Sequence, residues 1–283
     1  MRASQENAQA FWEAFAASRE TADEAAMTSL ALCSCSSLYD LYRSRAERLA
    51  IAALLPMPSS TWRVLDLGCG PGRWTLPFAQ TCGEVVAIDF SAVMLAHAQK
   101  RCEAAGVAQK VKFRQQRLEE LDATALGGAF DLILAMGVLQ FVPSESLEPV
   151  VGRIAACIGK GGRLLHRETR SPTLREKIYS DPTQEITMRA FYKPFAQYRS
   201  SFERQGLRLL NRRSIIPPSL LYSIYNRFLP ADCSTPLKGI PLQCIVGLHE
   251  AVIDPLWRLA PRLLWLVNSR RPTDQVAALY SKD

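Results

Sequence analysis

Three glycines at alternate positions, Gly68, Gly70 and Gly72, constrain this chain more than any other feature of its sequence. They directly follow the apolar run 62–67, which predicts a short buried strand with Asp66 close to its end. Glycine adopts positive φ at no steric cost and lets the backbone approach a ligand closely. A plain tight turn would not need three such residues beside a carboxylate. The pattern therefore predicts a strand-to-helix loop that holds a ligand.

Strand and helix signals alternate through the middle of the chain. Apolar runs predict four more strands, at 84–89, 111–113, 130–135 and 162–166. Helices are predicted between the strands at 73–80, 92–105 and 144–158. Ser91 and Gly106 are typical residues for the start and the end of the second of these helices. Strands that alternate with helices of this length form βαβ units on a parallel sheet. We therefore predict an α/β fold with a Rossmann-like sheet.

The two ends of the chain depart from this alternation. Residues 5–55 have helical periodicity, and 217–268 are rich in Pro, Leu and aromatic residues. Between them a helix is predicted at 194–205, and strands at about 207–214 and 275–281 form a last hairpin that the second helical region interrupts. The predicted division is an N-terminal helical lid at 1–58, an α/β core at 59–215, a helical substrate cap at 216–268 and a final core strand at 269–283.

The formal net charge of +7 is carried by one part of the chain. Residues 1–170 contain 18 basic and 18 acidic residues, whereas residues 171–283 contain 16 and 9. A hydrophobic fraction of 48% excludes a disordered chain. Nucleic-acid binding would need clustered basic and stacking residues, but these charges are spread. The run 256–265 resembles a membrane-surface helix, but Pro261 weakens that interpretation, so neither partner is favoured over a small molecule.

Cysteine and histidine are scattered along the chain. No two of the eight cysteines have the two-residue spacing of a metal clip, and the three histidines are far apart, so no metal site is predicted. The first residues lack the apolar core of a secretory signal. We therefore expect reduced thiols in a cytoplasmic protein. A homo-oligomer is left open.

The residues around the glycine loop discriminate among its potential ligands. A dinucleotide fingerprint needs a glycine where Arg73 stands, and the Gly-Lys-Ser/Thr of a phosphate-binding P-loop is absent. Asp66 would repel a pyrophosphate and suits a cationic amino-acid group. Asp89, at the end of the second strand, can accept hydrogen bonds from both hydroxyls of a ribose. An adenosine with a positively charged amino-acid tail is S-adenosylmethionine.

On these residues, the stretch 60–170 resembles the class I S-adenosylmethionine-dependent methyltransferases, in the branch that methylates small molecules. The supporting motifs are the glycine loop, the run 85–91 with Met94, and the runs 130–134 and 161–165. The resemblance implies a last strand antiparallel to the others and S-adenosylhomocysteine as the product. It assigns to the cofactor Asp66, Gly68, Cys69, Gly70, Gly72, Asp89, Phe90, Met94, Arg117, Leu118, Glu119, Met136 and Phe141.

Two positions depart from the family pattern. Arg117 stands where the family usually has an aspartate that contacts the adenine amine, which leaves the backbone amide of Leu118 to recognise the ring. The arginine either stacks on the base or points away. After the fourth strand, Leu139-Gln140-Phe141 replaces a common Leu-His-His, so histidine-based catalysis is not expected there.

Methyl transfer needs proximity, exclusion of water and, for some nucleophiles, a general base. His166, with Glu168 nearby, is the candidate base because it lies near the carboxyl end of the fifth predicted strand. The alternative, which we favour, is that His166 points into a helix–sheet layer. The motifs of base- and protein-amide N-methylases and of pyrimidine C5-methylases are absent after the fourth strand.

Aromatic residues outside the core predict an apolar, aromatic-lined substrate pocket. The predicted substrate and lid residues are Phe15, Tyr39, Gln140, Tyr192 and Tyr198. The sequence thus predicts methylation of a small apolar or aromatic metabolite on O, N or C, in a biosynthetic role. Two alternatives stay open: a methyltransferase acting on nucleic acid or another macromolecule, and a non-enzymatic binding protein on the same scaffold.

Overall fold

The computed structural model describes residues 11–13, 47–55, 57–171, 177–180, 189–215 and 274–283. The strands are β1 (Arg63–Leu67), β2 (Glu84–Asp89), β3 (Val111–Gln115), β4 (Phe130–Met136), β5 (Ile158–Arg170), β6 (Lys177–Ser180), β7 (Arg189–Tyr192), β8 (Leu207–Ile215) and β9 (Asp274–Lys282). The helices are α1 (Thr75–Thr81), α2 (Ala92–Ala104), α3 (Ser144–Cys157) and α4 (Phe195–Arg204). Residues 47–54 are also helical.

Seven strands form one mixed sheet in the order β3-β2-β1-β4-β5-β9-β8. Strands β1 to β5 run parallel, and β9 is antiparallel to both β5 and β8. The chain winds outward from β1 through β2 to β3 and then crosses to β4 on the other side of β1. The loops after β1 and β4 therefore leave the same edge of the sheet as neighbours, which is the position where open α/β sheets bind ligands.

The core lies on both faces of this sheet, as continuous apolar strands require. Val64 and Leu65 of β1 point to opposite faces, and both are 0% exposed. Leu65 belongs to an apolar cluster that contains Phe202 of α4, whereas Val64 belongs to a second cluster with Phe78 of α1 and Ile51. The helical residues 47–54 are therefore packed into the core on the α1 face.

The predicted fold class is confirmed, including the antiparallel last strand and the pairing of the two strands of the final hairpin. The bounds of β2 are as predicted, and α2 begins after its predicted cap. The Ser91 hydroxyl accepts a hydrogen bond from the Met94 amide at 3.3 Å, and Gly106 follows the helix with φ of 69°. These signals are local, and no long-range contact overrides them.

Two features were not predicted. Strand β5 extends well beyond 162–166 at both ends, and β6 pairs with β7 in a separate antiparallel ribbon with Ile178 opposite Phe191. Each ribbon strand has only four residues. A run this short contains no periodicity that distinguishes a strand from a loop, so only the pairing identifies it.

Several predictions lie largely or wholly outside the described residues. Most of the N-terminal lid and the helical cap at 216–268 belong to this group, so the division into domains stays a prediction. Four cysteines that the structure describes, Cys69, Cys82, Cys102 and Cys157, are free thiols. Within the described ranges, none of the helices combines the length and apolar character needed to cross a membrane.

Candidate active site

The glycine loop joins β1 to α1, and Gly68 and Gly70 occur in it for different physical reasons. Gly68 has φ of 61°, and a Cβ there would lie 2.6 Å from Cγ2 of Val138, so the loop after β4 packs directly on its backbone. Gly70 has φ of 54°, but a Cβ there would meet nothing within 4 Å. Packing therefore demands a glycine at 68, whereas the backbone at Gly70 borders open space in which a ligand can approach it.

Asp66 lies beneath the loop and is 2% exposed. Its Oδ2 accepts a hydrogen bond from the Thr75 hydroxyl at 2.7 Å. The pKa of Asp66 is raised to about 7, mainly by burial and also by the nearby Asp89, while the hydrogen bond from Thr75 opposes the shift. A carboxyl group with this pKa is partly ionised at neutral pH, and a cationic ligand group would favour its charged form.

Asp89 links the glycine loop to the tip of β2. Its Oδ2 accepts a hydrogen bond from the Gly70 amide at 2.9 Å, and its Oδ1 accepts one from the Ser91 amide at 2.9 Å. Burial is the main cause that raises the pKa of Asp89, and the two amides oppose the shift. Each carboxylate oxygen can accept a second bond. Asp89 thus organises the loop while keeping capacity for a pair of ligand hydroxyls, and sequence reasoning missed the first of these roles.

The tips of β2 and β3 bring together the residues predicted to surround an adenine. The Arg117 guanidinium lies 5.8 Å from the centre of the Phe90 ring. Met94 is 3% and Leu118 8% exposed, so both are buried, and Glu119 is half-buried. Arg117 therefore contacts an aromatic ring at the predicted adenine site, and whether it stacks on the base or points away stays a prediction.

The turn after β4, at Leu139–Phe141, is held by the buried side chain of Glu168. Oε1 of Glu168 accepts a hydrogen bond from the Leu139 amide at 2.7 Å, and Oε2 accepts one from the Gln140 amide at 3.2 Å. The pKa of Glu168 is raised to about 8 by burial, although these amides together with Arg167 and Lys193 oppose the shift. Because both oxygens bind the backbone and the side chain is 0% exposed, the structure does not support Glu168 as a general base.

His166 occupies the helix–sheet layer that we favoured over a catalytic position. Its side chain is 0% exposed and lies with its ring centre 4.8 Å from that of Tyr198 and 5.0 Å from that of Phe202, both on α4. Burial lowers the pKa of His166 to about 3, with Arg167 and Lys193 acting in the same direction. A neutral imidazole enclosed by aromatic rings does not reach a substrate, so the general-base prediction is not supported.

The remaining predicted site residues differ in how deeply they are buried. Tyr198 is 0% exposed in the same layer, so its assignment to the substrate site is not supported. Tyr192, Met136 and Phe141 are half-buried, and the Phe141 ring lies 5.8 Å from that of Trp12. Cys69 is 6% exposed, and burial raises the pKa of its thiol. Phe15 and Tyr39 lie outside the described residues.

The sequence analysis did not predict a buried ionic cluster that the structure contains. The Glu47 carboxylate, 1% exposed, lies 2.8 Å from Nη2 of Arg73 and 3.2 Å from Nε of Arg167. Arg167 also donates to Oε1 of Gln275 at 2.9 Å. The cluster ties the helical residues 47–54 to the end of the glycine loop and to β5. No local pattern predicts it, because its members come from four separate parts of the chain.

Comparison with known proteins agrees with this geometry. Residues 64–162 match a protein-family model described as a methyltransferase domain. Phosphoethanolamine N-methyltransferase 1 of Arabidopsis thaliana is 30% identical over 156 residues, which are 54% of this chain and 30% of that protein. The matched stretch covers 24% of the length of a Synechococcus relative and 48% of the length of one from Lactiplantibacillus plantarum, so this chain spans less than half of either protein.

Solved structures share the fold over most of the chain. Magnesium protoporphyrin IX methyltransferase of Synechocystis with bound S-adenosylmethionine has a TM-score of 0.58 at 14% identity, covering 97% of this chain and 95% of that one. A Listeria monocytogenes protein assigned as an S-adenosylmethionine-dependent methyltransferase also has a TM-score of 0.58 at 14% identity, covering 86% and 99%. At such identities the likeness shows the fold.

Proposed function

We propose that this protein transfers a methyl group from S-adenosylmethionine to a small molecule, because residues 64–162 match the model of a methyltransferase domain and the sheet has the class I topology. The observation that carries the proposal is the glycine loop. Its backbone is open to a ligand at Gly70, the buried Asp66 precedes it at the end of β1, and the buried Asp89 accepts a hydrogen bond from the Gly70 amide. This arrangement combines a site for a cationic amino-acid group with a site for a ribose.

The residues present fit the cofactor. Asp66 would bind the ammonium of the methionine moiety, and Asp89 would accept hydrogen bonds from the ribose hydroxyls. Phe90 and Met94 would flank the adenine, and the Leu118 amide would donate to the ring. When bound, S-adenosylmethionine supplies an activated methyl group, so the protein has to align an acceptor with it and exclude water. No side chain in this scheme has to act as a base.

The acceptor is proposed to be a small metabolite. Two of the matched proteins are named for small molecules, phosphoethanolamine and magnesium protoporphyrin IX. The half-buried aromatic residues Phe141, Trp12 and Tyr192 near the turn after β4 support an apolar or aromatic acceptor. Methylation on O, N or C is compatible with a reaction that depends on proximity.

The cofactor assignment is tested by calorimetric titration of S-adenosylhomocysteine into the wild type and into Asp89→Asn. The variant should bind about 10- to 100-fold more weakly, because it loses charge-assisted hydrogen bonds to the ribose. Asp131→Asn is the matched control. Asp131 also accepts a hydrogen bond from a backbone amide, that of Arg63 at 2.7 Å, but it lies at the start of β4, at the end of the strand away from the glycine loop.

Three results would contradict the proposal. Absence of binding to the wild type would favour a binding protein that uses the scaffold for another ligand. Equal binding by wild type and Asp89→Asn would refute the ribose assignment. Salt-dependent binding of RNA or DNA, with methyl transfer to it, would support the macromolecular alternative instead.

A further inference from the structure

The ligand crevice has two sides. The proposed cofactor side lies at the tips of β1, β2 and β3, and the proposed acceptor side lies at the turn Leu139–Phe141 after β4. On the cofactor side, the adenine is expected between the tips of β2 and β3, because Asp89 at the end of β2 is assigned to the ribose. We call residues 115–120, where β3 ends and the next turn runs, the β3 rim. The groups at this rim determine which features of the base the protein recognises.

Several hydrogen-bond acceptors at the β3 rim and the tip of β2 bind other groups of the protein. The carbonyl of Asp89 accepts a hydrogen bond from the Gln116 amide at 3.0 Å. The carbonyl of Phe90 accepts one from Nε2 of Gln115 at 3.0 Å, and that of Glu120 accepts one from Nε2 of Gln116 at 2.7 Å. These bonds join the two strand tips, and they occupy oxygens that could otherwise bind an amine of a ligand.

Arg117 brings donors to the same place. Its amide donates to Oε2 of Glu120 at 3.3 Å and its carbonyl accepts from the Glu120 amide at 3.1 Å, so its backbone is held on both sides. Its guanidinium lies 5.8 Å from the centre of the Phe90 ring, and both residues are half-buried. A guanidinium has five N–H donors and no acceptor. It can donate to a ring nitrogen or stack on the base, but it cannot accept a hydrogen bond from an exocyclic amine.

We propose that Arg117 makes this site recognise the adenine of S-adenosylmethionine through its ring and not through its exocyclic amine. The inference rests on the proposed function and defines the cofactor specificity of that site. Arg117 contacts the base through its guanidinium, and the amine is left without a hydrogen bond to the protein. A cofactor whose purine lacks the amine is therefore bound as tightly as the natural one. An acceptor at position 117 would instead make binding depend on the amine.

The first test compares two ligands by calorimetric titration. One is S-adenosylhomocysteine, and the other is its analogue in which unsubstituted purine replaces adenine, so that only the amine is missing. The wild type should bind the two with affinities that differ by less than about threefold. At least one of Arg117→Asn and the longer Arg117→Gln should prefer adenine by about threefold or more, because a carboxamide accepts from the amine and donates to a ring nitrogen.

The ratio of the two affinities isolates the amine, because both ligands share the ribose and the amino-acid tail. Arg114→Asn is the matched control, since Arg114 carries the same charge on β3 but is exposed, and it should leave the ratio as in the wild type. A preference of the wild type for adenine of about threefold or more would overturn the inference and indicate another acceptor, such as the carboxylate of Glu119. A ratio that stays below threefold in both Arg117 variants would overturn the role of Arg117.

The second test detects the contact itself by nuclear magnetic resonance. The Cζ resonance of Arg117, identified by its absence in Arg117→Asn, should shift when the wild type is saturated with either ligand. The Cζ resonance of Arg114 should not shift. An unchanged Arg117 resonance in protein with bound ligand would show that the guanidinium does not contact the base, and it would overturn this inference alone. Absence of binding of both ligands to the wild type would refute the proposed function together with it.

Discussion

The two halves of the ligand crevice are built in different ways. On the cofactor side, the contacts that shape the loops join residues close in sequence: Asp89 binds the amide of Ser91, two residues away, and that of Gly70, 19 residues away. On the acceptor side, Glu168 binds Leu139 from 29 residues away and Lys193 does so from 54. The contacts that shape the proposed cofactor side therefore span up to 19 residues, whereas those of the proposed acceptor side span 29 to 54 residues.

The largest effect is expected for Glu47→Gln, which breaks the link between the two halves. The substitution leaves Arg73 and Arg167 without their shared buried carboxylate, and removal of one partner from a buried ion pair costs about 3–5 kcal/mol. We expect the free energy of unfolding in urea to fall by this amount. Binding of S-adenosylhomocysteine should also weaken, because Arg73 ends the glycine loop. Loss below about 1 kcal/mol would show that the cluster does not couple the halves.

Gly68→Ala should disturb the direct contact between the halves. Alanine at a φ of 61° costs about 1–2 kcal/mol, and overlap of its Cβ with Val138 adds about 1–3 kcal/mol. Gly106→Ala is the matched control, because Gly106 has φ of 69° but open space around a Cβ. This variant should therefore lose only the stability that the unfavourable backbone conformation costs. Adding Val138→Ala to Gly68→Ala should recover the part due to overlap. Equal losses for the two glycine variants would refute close packing of the loops.

Asp66→Asn, on the cofactor side, should change how the free energy of unfolding depends on pH. The pKa of Asp66 is raised from 3.8 to about 7 by burial, so the folded state holds this proton more tightly than the unfolded state does. The free energy of unfolding should therefore fall as the pH rises from about 4 to about 7, by up to about 1.4 kcal/mol per pH unit for this group. Urea titrations across this window should show that part of the slope missing in Asp66→Asn. An identical slope in both proteins would contradict the assignment.

The smallest effect is expected for Glu148→Gln, because Glu148 lies away from both halves of the ligand crevice. Glu148 on α3 pairs with Arg204 on α4, and the two side chains are 41% and 57% exposed. Exposed ion pairs contribute between about 0 and 1 kcal/mol. The variant should keep the wild-type melting temperature within about 2 °C and bind S-adenosylhomocysteine normally. A larger loss would mean that ionic contacts outside the crevice matter as much as the buried ones.

The sequence predicted the backbone around the glycine loop well and the surroundings of the β5 side chains poorly. The bounds of β2, the start of α2, the cap at Ser91 and the positive φ of the loop glycines all follow from local patterns. His166, Glu168 and Tyr198 were placed near the substrate, but the structure buries them. Strands of a parallel sheet are covered on both faces, so alternation along β5 does not distinguish the side chains that face helices from those that reach the ligand crevice.

By itself, the sequence determined the α/β class of this protein, the order of the strands and helices of its seven-stranded sheet, and a glycine loop suited to a nucleoside with a cationic tail. Those properties depend on backbone preferences and apolar periodicity, which act over a few residues. Only the tertiary structure decided that Asp89 binds the amide of Gly70, that Glu47 joins Arg73 to Arg167, and that Glu168 and Lys193 hold Gln140. The reason is physical. A buried charge is stable only where polar partners surround it, and here those partners come from distant parts of the chain, so local sequence patterns do not predict the contacts.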